Sequence, residues 1–185
     1  DDNHVLDLIS NQKSTTLHEK AEQFRLLKEE FRDTGRYIDE DIAYVYFKRY
    51  ELMSEYDLAK EKGLLSLILF MPNYIFQKLI FDKVGLYATN PFRVLFSIVI
   101  VNFIFSLIYT IFYSEVNTLT CLDYQVSFTE KVLENLYFSA ITFFTVGYGD
   151  CSPLGFFKII APIEGFVGVF LMSYFTVAFV RKILR

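Results

Sequence analysis

Tryptophan is absent from this chain, and histidine and cysteine occur only twice each. Two cysteines exclude a disulfide-rich scaffold and a zinc site built from cysteine alone. The histidines, His4 and His18, lie at the ends of one polar segment, which argues against a histidine metal cluster. Glycine and proline total 12, and no internal repeat is visible. A basic excess is missing as well: the formal net charge is −4, which speaks against nucleic-acid binding. No Ser/His/Asp or Cys/His set is available for nucleophilic catalysis. The chain is therefore expected not to be an enzyme and to need no cofactor.

What is present is apolar bulk, with 21 Phe and 13 Tyr among 185 residues, too many for a disordered chain. Hydrophobic types make up 53%, yet 22% of residues are charged. The two classes are separated along the chain. Residues 1–62 carry 15 Asp/Glu and 10 Lys/Arg, whereas residues 63–185 carry 7 and 8. A charged module therefore precedes a membrane module. The chain begins Asp1-Asp2 without a methionine, which fits a piece of something longer.

Residues 1–14 are polar and read as frayed. Thr16-Leu17-His18-Glu19 has the pattern of a capping box. Leu17, Ala21, Phe24, Leu27 and Phe31 then recur at helical spacing, and Gly35 ends the helix. A second helix starts near Ile38, with Asp39, Glu40 and Asp41 at its positive end, and runs to about Gly63. Ile42, Val45, Tyr46, Met53 and Tyr56 form its apolar stripe. Residues 1–63 thus read as a cytosolic helical hairpin. Its stripes either pack on each other or present a face to an additional domain or partner.

Residues 64–91 read as an interfacial helix and linker. The apolar run 64–76 has only 13 residues, is interrupted by Pro72, and is followed by Gln77, Lys78, Asp82 and Lys83. Spanning a bilayer takes about 20 apolar residues, so this segment is expected to lie along the membrane surface. Residues 94–113 carry no charge and residues 159–180 carry one, Glu164. Each stretch is long enough to cross the hydrocarbon. Lys78, Lys83 and Arg93 precede the first span, and Arg181, Lys182 and Arg185 follow the second. This asymmetry places both termini in the cytoplasm and the connecting loop outside. The first long span lies far from the N-terminus, so no segment reads as a secretory signal.

Between the spans, residues 142–150 read T-F-F-T-V-G-Y-G-D. A dehydrated cation crossing a membrane needs carbonyl oxygens in place of its water shell. A ribbon offering successive carbonyls to one side alternates right- and left-handed backbone. Glycine takes the left-handed positions cheaply, which accounts for Gly147 and Gly149. The stretch from about Glu130 to Phe143 reads as a short helix leading into the ribbon, with Glu130 and Glu134 at its positive end. Tyr148 is expected to pack behind the ribbon, against Tyr137, Phe138 and Ile141. A voltage sensor is excluded, since no span carries Arg or Lys at every third position.

The motif and the span–loop–span plan resemble the potassium channel pore family of the bacterial, two-transmembrane type, over residues 86–185. The resemblance implies an all-α membrane protein, with residues 92–185 forming two transmembrane helices around a re-entrant pore helix and selectivity filter. It implies a homotetramer in the plasma membrane that passes K⁺ selectively. Backbone carbonyls of Thr145, Val146, Gly147 and Tyr148 would bind K⁺, with Gly149 completing the filter. Asp150, Tyr137, Ile141, Thr142 and Glu164 would support it. Gly165 or Gly168 would be a bending point or close-packing site in the second span. The family's bacterial prototype usually has a Glu where this chain has Ile141, and a Trp where it has Tyr137. The Tyr137 hydroxyl is thus placed to serve Asp150 instead. Phe144 replaces a small residue and narrows the space beneath the filter. Inward-rectifier channels, which this chain resembles here, bridge a cysteine on each side of the pore loop. Cys121 and Cys151 would match, although free thiols and an intersubunit link stay open at this point. So do two other readings of the whole chain: a weakly selective cation channel, and a membrane-anchored interaction protein working through its hairpin.

Overall fold

The computed structural model describes residues 2–112, 119–120 and 127–184. Among these the regular structure is helical, apart from a single antiparallel bridge between Leu119 and Pro153. The chain divides into two compact units, residues 1–90 with 179–185, and residues 91–178.

The first unit opens with α1 (Asp2–Asn11), which corrects the expectation of a frayed start. The reason is tertiary. Leu6 and Ile9 lie three residues apart and bury themselves against Phe24, Phe31 and Ala43. The Lys20 ammonium adds a bond to the Ser10 carbonyl at 2.7 Å. In α2 (Leu17–Asp33) the capping box forms as its sequence requires. The Glu19 N–H donates to the Thr16 hydroxyl (3.2 Å), and the Thr16 N–H donates to the Glu19 carboxylate (2.7 Å). These bonds, the backbone one foremost, hold the Glu19 carboxyl below its ordinary value. The cap's support is therefore present above the unfolded-state pKa and fades as pH falls through the lower folded value. In α3 (Tyr37–Glu61), Tyr46 and Tyr50 stack on the fully buried Phe24 ring, with centroids 5.1 and 5.4 Å away. Ile42 and Tyr46 of the second stripe thus pack on the first, whereas Met53 is exposed and Tyr56 meets Tyr74.

The expected 13-residue apolar segment is longer than its sequence suggested. α4 (Leu64–Phe76) continues into a π-helical stretch, Gln77–Val84. Together they make one helix of 21 residues, long and apolar enough to cross a membrane. Pro72 removes a single backbone donor and does not stop it. The polar residues beyond Phe76 do not end it either: Lys78 and Asp82 lie with Tyr74 on the side that meets Arg49 and Met53 of α3. Asp82 accepts two bonds from the Arg49 guanidinium of α3 (2.9 and 2.7 Å), and Tyr74 packs on Tyr56 with ring centroids 4.9 Å apart. Ile68, Met71, Ile75 and Leu79 line an open apolar surface.

The chain then passes through three consecutive residues in the left-handed region: Leu86 (φ 48°), Tyr87 (55°) and Ala88 (62°). None is glycine, and each costs about 1–2 kcal/mol there. The Tyr87 N–H donates to the Phe81 carbonyl at 2.7 Å, and the Thr89 hydroxyl to the Leu86 carbonyl at 2.7 Å, which holds the turn.

The second unit contains α5 (Pro91–Ile111), α6 (Phe128–Phe143) and most of α7 (Phe157–Ile183). Both α5 and α7 are long and apolar enough to cross a membrane. The core gathers Tyr109, Leu119, Phe138, Ile141, Phe157 and Ala161. It packs the middle and end of α6 between the two long helices. At the start of α6 the Ser127 N–H donates to the Glu130 carboxylate at 2.9 Å.

Candidate functional site

The segment after α6 begins at its last turn. Phe144 closes the helix with its N–H on the Ala140 carbonyl (3.0 Å), and the Thr145 N–H meets the Thr142 carbonyl (3.0 Å). From there the backbone alternates. Thr145 (φ 55°), Gly147 (54°) and Gly149 (81°) are left-handed, and Val146 and Tyr148 between them are not. The N–H groups of Val146 and Gly147 converge on one acceptor, the Ile141 carbonyl, at 2.8 and 3.3 Å. Every peptide here is trans. In a trans peptide the carbonyl points opposite to the N–H of the next residue. The carbonyls of Thr145 and Val146 therefore both turn away from α6, to the same side. Residues 144–150 are all exposed in the single chain.

Two glycines of this ribbon fall where their backbone requires them. Thr145 was named from the sequence for its carbonyl; its left-handed backbone was not expected. A β-branched side chain at positive φ is strained by about 1–3 kcal/mol, and its hydroxyl donates to the Phe144 carbonyl at 2.7 Å. The two-residue rhythm set by Gly147 and Gly149, extended one step back, would have pointed to it. Tyr148 departs from expectation: it is 72% exposed, not packed behind the ribbon. Phe138 and Ile141, its expected neighbours, are turned instead into the cluster with Tyr109 and Phe157.

The Tyr137 hydroxyl donates to the Asp150 carboxylate at 2.8 Å, and the other Asp150 oxygen accepts from the Cys151 N–H at 3.0 Å. The tyrosine thus reaches the carboxylate just beyond the ribbon. Residues on either side of α6 and the ribbon are also tied together. The Thr120 N–H donates to the Ser152 carbonyl (3.0 Å), and the Ser152 N–H to the Thr120 hydroxyl (2.9 Å). Cys151 is buried; Cys121 lies outside the described residues.

Behind α6 sits a polar clasp. Glu164 of α7 is fully buried. Its carboxylate accepts from the Tyr109 hydroxyl of α5 at 2.7 Å and from the Ser139 hydroxyl of α6. The Asn102 amide donates to Ser139 at 3.1 Å. A carboxylate at membrane depth is tolerated only when protein groups satisfy it, and here one residue from each neighbouring helix does so. Ser139 and Tyr109 had not been marked by the sequence, since both look unremarkable in apolar runs. Glu164→Ala should orphan both buried hydroxyls, at about 1–3 kcal/mol each. A thermal melt in detergent checks this: the midpoint should fall by several degrees, and Glu164→Gln should fall less.

Gly165 and Gly168 are not equivalent. A Cβ on Gly165 would meet the Thr142 carbonyl oxygen at an ordinary 3.6 Å, whereas one on Gly168 would stand 2.0 Å from the Phe143 carbonyl oxygen. α7 runs through both as one helix. Gly168 is thus a close-packing site against the end of α6.

A model of the family described as "Ion channel" matches residues 93–185, half of the chain and all of the ribbon. No curated protein and no solved structure matches.

Proposed function

Since the chain belongs to this ion-channel family, and so is a channel and not an enzyme, we propose that it is a potassium-selective channel. The observation that carries the reading is the ribbon 145–149, whose φ values alternate in sign and whose Thr145 and Val146 carbonyls face one way. Such a strip can replace the water around a dehydrated K⁺. One strip covers one side of an ion, and the exposed ribbon needs other copies to enclose a path. The resemblance sets that number at four. K⁺ is the permeant ligand, bound in turn by the carbonyls of Thr145, Val146, Gly147 and Tyr148, and no cofactor takes part. Irregular backbone at this depth is stable because protein encloses it.

The protein sits in the plasma membrane with α5 and α7 spanning it and both termini cytoplasmic. Helix 64–84 lies along the inner surface. It is long enough to span, yet Tyr74 and Asp82 bind α3 along its length. A span would draw the charged α3 into the hydrocarbon, at several kcal/mol per charge. On the surface, Ile68, Leu69 and Leu79 meet lipid while Asp82 stays with Arg49.

Purified channel in planar bilayers, with K⁺ on one side and Na⁺ on the other, tests the reading. The reversal potential should lie far toward the K⁺ equilibrium value. A value near zero would leave a weakly selective pore, and no current would leave an anchor. The bonds between residues 120 and 152 favour a bridge from Cys121 to Cys151 within one chain. Non-reducing electrophoresis should then give monomers without alkylatable thiol. Covalent dimers, or two free thiols per chain, would refute the bridge.

A further inference from the structure

The family match begins at residue 93 and leaves the N-terminal helices without a role. The end of α7 supplies one. Its last turn is basic, and in the first unit Arg181 meets three partners at once. Its guanidinium donates to the Asp41 carboxylate at 3.1 Å, lies 4.3 Å from the centre of the Tyr44 ring, and approaches the Tyr87 carbonyl at 3.4 Å. Lys182 adds a second bond to the other Asp41 oxygen at 3.3 Å. Asp41 is buried, with 10% of its side chain exposed, and the Arg181 side chain is 22% exposed. This is no loose surface pair. A planar guanidinium is seated on a ring, a carboxylate and a backbone carbonyl, each suited to its shape. The carbonyl belongs to the left-handed turn Leu86–Tyr87–Ala88. Strain of this kind persists only where its surroundings over-determine it.

We infer that residues 37–45 of the N-terminal module act as a latch that holds the cytoplasmic end of the pore-lining helix and so controls opening. This rests on the channel reading above. At 3.6 residues per turn, Phe179 and Ile183 lie on the side of α7 opposite Arg181. Both are exposed and apolar. With Arg181 and Lys182 drawn to the module, four copies of α7 would turn Phe179 and Ile183 toward the axis. An apolar constriction of that kind stops ions by excluding water. Opening moves the end of α7 and must break the bonds to Asp41. The latch therefore favours the closed channel, and weakening it favours the open one.

The test is single-channel recording of the full chain in planar bilayers. Asp41→Asn keeps the shape and removes the charge. It should raise the ratio of open to closed time about fivefold or more, the size of an ordinary coupling between two sites. Exchanging the charges, Asp41→Arg with Arg181→Asp, should bring the ratio back toward wild type. An unchanged or lowered ratio in Asp41→Asn, or an exchange no more closed than Asp41→Asn, would overturn the latch. Should Asp41→Asn not assemble, Arg181→Gln with Lys182→Gln reads the same coupling from the more exposed side. The reversal potential between K⁺ and Na⁺ should stay that of wild type throughout. Its loss in the wild-type channel would count against the pore reading, which this ratio does not measure.

Discussion

Gly147→Ala and Gly149→Ala are each expected to abolish K⁺ current. Their φ values are 54° and 81°, and no atom of the chain lies within 4 Å of a Cβ added at either place. The obstacle within one chain is therefore conformational. An L-residue in the left-handed region costs roughly 1–2 kcal/mol, and in the proposed tetramer each of four subunits would incur it. Relief comes by rotating the peptide, and a rotated peptide withdraws the carbonyl that the ion needs. Thr145 and Ala88 show that a side chain can be held at positive φ, but Thr145 has a hydroxyl bonded to Phe144 and Ala88 sits in a turn closed by bonds of its neighbours, whereas a Cβ at 147 or 149 would project into open space. Gly155→Ala is the control. It carries the same strain, with φ 54° and open space around it, six residues beyond the ribbon. It should lower stability slightly and leave the K⁺ reversal potential unchanged. Wild-type current in Gly147→Ala, or equal loss in Gly155→Ala, would remove the ribbon from the conduction path.

That contrast also shows what a sequence can and cannot disclose. The motif at 142–150, the apolar lengths of α5 and α7, and the Thr16–Glu19 cap were legible because each depends on neighbours along the chain. Tyr137 serving Asp150 was legible only through the resemblance, which sets Tyr137 where the family has a Trp beside its acidic residue. The rest depends on partners far away in sequence. α1 looked frayed because two buried side chains, Leu6 and Ile9, are few for ten residues, and their value lies in Phe24 and Phe31. The helix 64–84 looked interrupted because Lys78, Asp82 and Lys83 suggested an end. Asp82 in fact lies where Arg49 can reach it, 33 residues back along the chain. The left-handed turn at 86–88 carries no glycine to announce it, and Arg181 lies 94 residues beyond the carbonyl it approaches there. Tyr148 was expected behind the ribbon, but Phe138 and Ile141 turn into the cluster with Tyr109, and in the single chain the ring stays exposed.

Gly168→Ala is expected to be nearly as damaging as the ribbon variants, for a different reason. The glycine is buried in the middle of α7, at ordinary helical φ, so alanine suits its backbone better than glycine does, by about 1 kcal/mol. Propensity alone would make the substitution stabilising. Packing reverses the sign. The added Cβ would stand 2.0 Å from the Phe143 oxygen and 2.8 Å from its carbonyl carbon, and both atoms are backbone, with no rotamer to give way. Either α7 moves outward by more than 1 Å or the end of α6 does. Interiors pack densely and transmit such shifts, and overpacking of this kind costs about 1–3 kcal/mol or more. Phe143 is fully buried and immediately precedes Phe144 and Thr145, so the displacement reaches the first carbonyls of the ribbon. Reduced tetramer recovery on size exclusion, and altered K⁺ conductance in what assembles, are the expected results. Gly165→Ala, three residues away with 3.6 Å of room, should keep wild-type assembly and conductance. A bending role would give another pattern: Gly168→Ala would assemble and conduct as wild type, with only its open time changed. That outcome would show that α7 needs glycine for its motion and not for its contact with α6.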